Sequence, residues 1–241
     1  MKYLNYICLL LYGITHLQSL TAQTTSVEGA LPSVNIRFYT EPIFEGVYKD
    51  VEVPRDVLFT LIWGTVEQPG IETIRVTFGR LSQAVTIEGF GPIRVYEGNL
   101  TAEETVAKSP LYQIENDVQG GAQIIHVIPT APGRYLFNAQ NVSEGEIRKG
   151  TARVVNLSGE TIAAMVAEGR GIIEPNASIN VSLLEIERFQ LKMRYATQGD
   201  EGWKLVYGTR VSASPQDRLL IYVFRKWGNR GPWRVRLIDV D

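Results

Sequence analysis

The chain has 241 residues, 44% of them apolar and 21% charged, and its 24 basic against 26 acidic residues give a formal charge of −2. That near-balance excludes the strongly basic surface on which general nucleic-acid binding depends, and a single cysteine excludes an internal disulfide framework. The length suffices for one large or two medium domains held together by core burial alone.

In chain order, Met1-Lys2, the apolar run 6–14 and the polar exit Leu20-Thr21-Ala22-Gln23 have the order of a secretory signal peptide, which predicts a removed leader over 1–22 and a linker over 23–32. The apolar run is about nine residues, well short of the roughly 20 that span a bilayer, so no transmembrane segment is expected in the mature chain. Lys2, Cys8 and His16 leave with the leader, which takes the formal charge from −2 to −3 and leaves no thiol and one imidazole, His126. Export without disulfides fits a bacterial periplasm, cell surface or secreted location.

Beyond the leader, apolar residues alternate with polar ones or gather in short β-branched and aromatic runs between Gly, Pro, Asn and Ser. The pattern predicts strands over 34–39, 57–63, 71–78, 84–88, 93–96, 123–128 and 134–137. A second set follows over 152–156, 162–167, 179–184, 189–197, 203–209, 219–226 and 233–240. Only 100–107 reads as a helical turn, with Thr101 ahead of Glu103 and Glu104 as a capping-box-like start.

The two sets echo one another. Ile87-Glu88-x-Phe90 with Tyr96 six residues on returns 99 positions later as Ile186-Glu187-x-Phe189 with Tyr195. Ile125-His126-Val127-Ile128 before Arg134-Tyr135 is echoed by Ile221-Tyr222-Val223-Phe224 before Trp233-Arg234, and Ile36-Arg37-Phe38 more loosely by Ala152-Arg153-Val154. The fold expected is all-β: two tandem, related antiparallel β-sandwiches of immunoglobulin-like type. The first covers 33–146 with an extra hairpin at 57–78, the second covers 147–241, and they join near Ser143-Glu144-Gly145-Glu146.

The stretch Thr151-Ala152-Arg153-Val154-Val155-Asn156-Leu157-Ser158-Gly159 resembles the start of the second domain in a loose group of uncharacterised exported bacterial two-domain β proteins. The starts Val34-Asn35-Ile36-Arg37-Phe38-Tyr39 and Gly91-Pro92-Ile93-Arg94-Val95-Tyr96-Glu97-Gly98 are similar to that group's first domain. The resemblance implies the two-domain β architecture and carries no activity with it.

Chemistry is sparse. His126 lies in an apolar strand with Ile124 and Ile128 on its own face and Ile125 and Val127 on the other, which suits packing better than general-base work. No Gly-x-Ser-x-Gly elbow, His/Cys cluster, calcium-loop spacing or P-loop is present. No catalytic, cofactor-binding or metal-ligating residue is therefore assigned, and no cofactor is expected. The five Asn-x-Ser/Thr triplets read as turn residues.

One segment has local character: Arg225-Lys226-Trp227-Gly228-Asn229-Arg230-Gly231-Pro232-Trp233-Arg234-Val235-Arg236, with five basic residues and two tryptophans. On a hairpin, Arg225, Lys226, Trp227, Arg230, Trp233 and Arg234 would form a basic and aromatic surface for an envelope polymer, glycan or protein partner. The bland alternative is a turn whose strands point Trp inward and Arg outward. The expected function is a non-catalytic exported binding or assembly module. Its alternatives are carbohydrate binding through Trp203, Trp227 and Trp233, or a glycosidase-type hydrolase with paired carboxylates.

Overall fold

In this computed structural model the described residues are 33–42, 54–65, 67–89, 91–115, 121–227 and 230–241, without the side chains of Lys226, Trp227 and Arg230. The expected leader and linker, and Phe90 of the echoed motif, lie outside them.

Among the described residues sixteen strands form four sheets of four. In the first sandwich β1 (Ser33–Thr40), β4 (Val85–Glu88), β7 (Gly121–Ala131) and β8 (Arg134–Asn141) are ordered β4-β1-β7-β8. Facing them, β2 (Asp56–Gly64), β3 (Pro69–Thr77), β5 (Ile93–Glu97) and β6 (Tyr112–Ile114) are ordered β3-β2-β5-β6. In the second sandwich β9 (Thr151–Asn156), β12 (Ser178–Ser182), β15 (Arg218–Trp227) and β16 (Arg230–Asp239) are ordered β12-β9-β15-β16. Their partner sheet holds β10 (Ile162–Val166), β11 (Gly169–Ile173), β13 (Gln190–Gly199) and β14 (Gly202–Ser212) in the order β11-β10-β13-β14. The second sandwich thus repeats the first strand for strand, and Tyr96 and Tyr195 fall on the equivalent strands β5 and β13.

Two expectations need correction. The sheets are not wholly antiparallel: β1 runs parallel to β7, from Val34 opposite Gly121 to Thr40 opposite Val127, and β9 runs parallel to β15. The hairpins β7–β8 and β15–β16 each fill one edge of their central strand, and the first strand of the sandwich enters along the other. Nor is the β2–β3 hairpin an extra one, because β10–β11 is its counterpart. The added length lies in strands of nine residues against five. The counterpart was hidden because Gly169-Arg170-Gly171 has turn composition, yet it pairs as strand β11 with β10.

The only helix among the described residues is α1 (Ala102–Val106), where Thr101 accepts from the Glu104 N–H and the Glu104 carboxylate accepts from the Thr101 N–H, the expected capping box.

Alternation along β1 sends Val34, Ile36 and Phe38 into the first sandwich, where Phe59, Leu61, Val95, Ile125 and Val127 meet them at zero exposure. In the second sandwich Val154, Ile162, Leu191, Tyr195, Ile221 and Val223 do the same. A third apolar layer lies between the sandwiches: Tyr39, Ile124 and Ile128 from the first pack with Val155, Leu220, Tyr222, Phe224 and Ile238 from the second. The described residues belong to one compact unit of four stacked sheets. Strands β7 and β15 are therefore buried on both faces, which is why 124–128 and 219–224 are continuous apolar runs rather than alternating ones.

Two arginines fasten the junction. Arg153 donates to the carbonyls of Asn141 and Glu146 and to the Glu146 carboxylate, and Arg218 donates to the carbonyls of Val142 and Ile147 and to Asp241. Gly150 turns the chain into β9 with φ of +73°, where a Cβ would stand 2.8 Å from the Pro215 carbonyl oxygen.

Candidate functional site

The one fully buried carboxylate–imidazole pair among the described residues sits in the layer between the sandwiches. The parallel register of β1 and β7 sets Tyr39 beside His126, and Glu41, just past β1, is held by its own N–H on the Val127 carbonyl at 2.9 Å. Both Glu41 and His126 have zero side-chain exposure. The imidazole Nε2–H donates to Glu41 Oε1 at 2.8 Å, while Arg236 on β16 donates to Oε2 at 2.9 Å and to Oε1 at 3.2 Å. A carboxylate can only accept, so Nε2 carries the proton in this pair.

Aromatic rings enclose the imidazole. Tyr222 stacks on it with centroids 4.2 Å apart and planes 24° off parallel, Phe224 meets it edge-on at 5.5 Å, and Tyr39 tilts against it at 5.8 Å. The Arg236 guanidinium lies 5.3 Å above the Tyr39 ring. Tyr222 and Arg236 are direct cross-strand partners on β15 and β16, so the second sandwich brings its stacking ring and its cation from one register position.

The electrostatics follow from this packing. Burial alone would raise the Glu41 carboxyl, but the hydrogen bonds from His126 and Arg236 outweigh it and hold the group below the ordinary carboxylate range. Burial depresses the basicity of His126 more than the Glu41 bond restores it, so the imidazole stays neutral. Its Nδ1 has no hydrogen-bond partner. As a bare lone pair that costs little, but protonation would make it an unpaired buried donor. The resting state is an ionised Glu41 balanced by Arg236, with His126 as a neutral donor.

Chemically this arrangement is a closed clamp between two sheets. His126 does stand beside an acid and two phenols, as catalysis would want, yet none of its surface meets solvent. Sequence reasoning placed His126 on the correct face with Ile124 and Ile128 and missed both of its electrostatic partners. Glu41 sits just past the end of β1 with no pattern of its own, and Arg236 is one of several arginines on its strand.

The expected basic and aromatic hairpin forms in backbone terms, with Trp227 opposite Arg230, while Gly228, Asn229 and the side chains of Lys226, Trp227 and Arg230 lie outside the described residues. Arg225 donates to Glu160 and to the Gly231 carbonyl, and its guanidinium covers the Trp233 ring at 5.4 Å. Trp233 packs against the second sandwich's core, and Arg234 is exposed. Arg225 and Trp233 are thus brought together: Trp233 points inward and Arg234 outward, whereas Arg225 is engaged internally rather than turned to solvent. Trp203, on β14, is 45% exposed.

No family model matches the chain, and no curated protein matches it.

Proposed function

We propose that the protein is an exported, non-catalytic binding or assembly module of the cell envelope or cell exterior, built by duplication of one β-sandwich. The observation that carries this reading is the burial of His126 and Glu41 between the two sandwiches: the one imidazole outside the expected leader is engaged in joining domains. The identical strand order of the two sandwiches supports the duplication, together with the sequence echoes on equivalent strands. The resemblance to exported bacterial two-domain β proteins supports the location. The step from tandem sandwiches to a binding or spacing role is an analogy from fold.

The test is to incubate the purified chain with a panel of glycosides and esters, and separately with immobilised native envelope polymers. The reading expects retention on an envelope fraction and no turnover. Hydrolysis of any panel member that is lost on His126→Gln or on removal of a carboxylate overturns it.

A further inference from the structure

The two sandwiches differ in what covers their outer faces. In the first, the connection from β5 to β6 folds back over the outer sheet: the Leu100 N–H donates to Thr60 Oγ1, which donates to the Gly98 carbonyl, and Asn99 accepts from Thr73. Thr60, Ile62 and Tyr96 on that sheet are buried. In the second sandwich the equivalent strands β13 and β14 are joined by the tight turn Asp200-Glu201, and among the described residues nothing comparable crosses their outer face.

That open face is amphipathic. Strand register aligns Ile172, Ala163, Ala196 and Leu205 in one row across β11, β10, β13 and β14. The two alanines make a shallow floor between Ile172 and Leu205, each 60% exposed, and Trp203 extends the apolar wall along β14. The next row carries Arg170, Met165, Arg194 and Gly208, and beyond it Lys192 stands directly opposite Arg210. Like charges at directly opposed positions destabilise a sheet unless an anion lies between them. None of Arg170, Lys192, Arg194 and Arg210 forms an ion pair among the described residues; Glu168, Glu185 and Glu187 border Lys192 at one end, so the positive surplus is small and lies along Arg170, Arg194 and Arg210. This cationic cluster stands out on a chain whose overall charge is negative.

We infer that this face docks on an anionic phospholipid surface, a partner that deepens and rests on the binding-module reading. Ile172, Leu205 and Trp203 enter the interfacial region while Arg170, Lys192, Arg194 and Arg210 meet the phosphates. The apolar row and an interfacial tryptophan favour a bilayer over a soluble acidic chain, which would satisfy the cations and leave the apolar row wet.

The full chain should co-sediment with vesicles of phosphatidylcholine mixed with phosphatidylglycerol, and weakly with phosphatidylcholine alone. A Lys192→Glu/Arg194→Glu variant should lose at least about tenfold in partitioning, and less of the loss should remain visible at high salt. Ile172→Ser/Leu205→Ser should also lose partitioning, with the melting temperature of both variants kept within a few degrees of the parent. No partitioning, equal partitioning on both vesicle types, or indifference to either variant overturns the inference. Displacement by soluble polyaspartate with the Ile172→Ser/Leu205→Ser variant unaffected also overturns it, in favour of an acidic soluble partner. Vesicle failure without catalysis sinks only this inference, whereas turnover in the substrate panel sinks the binding-module reading itself.

Discussion

Arg236 and Glu41, 195 residues apart in the chain, meet with two donor–acceptor contacts and so bind the last strand of the second sandwich to the end of the first strand of the first. Glu41 has zero exposure whereas the Arg236 side chain is 35% exposed, so the pair is asymmetric: the anion depends on the cation more than the reverse. Removing the cation leaves an uncompensated buried carboxylate. Arg236→Gln should therefore lower unfolding free energy by about 3 kcal/mol, and Glu41→Gln by less, because it removes the charge that needed a partner. Denaturant melts of the two single variants and the double variant check this; a double variant worse than the sum of the singles contradicts it.

The same pair sets a direction for pH. Glu41 and His126 both have folded values below their ordinary ones, so the unfolded chain binds more protons than the folded one as pH falls. Stability from the pair is complete above the ordinary imidazole value of about 6.5 and is lost progressively from there down through the carboxylate range. Urea midpoints across this range should fall with acidification in the parent, and the part of the fall between neutrality and the carboxylate range should shrink in His126→Phe. A midpoint that rises on acidification contradicts the charge assignment.

Tyr195 is wholly buried in the second sandwich's core, and its hydroxyl has no hydrogen-bond partner. An unsatisfied buried hydroxyl costs about 1 to 3 kcal/mol, so Tyr195→Phe should leave the packing intact and stabilise the protein by about 1 kcal/mol. The Tyr222 hydroxyl is in the same position between the sandwiches, and Tyr222→Phe should behave alike while preserving the stack on His126. Thermal melts that drop for both variants would show that the hydroxyls have partners after all.

Much of the fold is legible in the chain because strand alternation and turn composition are local signals. The strands around Val34 and Leu191 follow from period-two burial, those around Val57 and Leu219 from short continuous apolar runs, and α1 from Thr101 and Glu104. Strand β11 was hidden by Gly169 and Gly171, and β6 by its length of three residues. The third apolar layer was beyond reach for a different reason. A run such as 219–224 shows that both faces of a strand are buried but not what covers them, since a neighbouring sheet and a second domain demand the same side chains. The candidate site inherits that blindness: His126 is visible as the one imidazole outside the expected leader, but its partners are Glu41 just past β1 and Arg236 on β16, and only the folded chain brings the three together.

His126 is a sealed, neutral structural donor rather than an accessible acid–base group. Its imidazole can be followed by nitrogen-15 chemical shifts during a pH titration of the folded chain. The account predicts the neutral tautomer with hydrogen on Nε2, and no protonation as pH is lowered through about 6.5 to the point where the chain begins to unfold. A reversible titration of His126 near its ordinary value, with the fold intact and Nδ1 protonated, would contradict it.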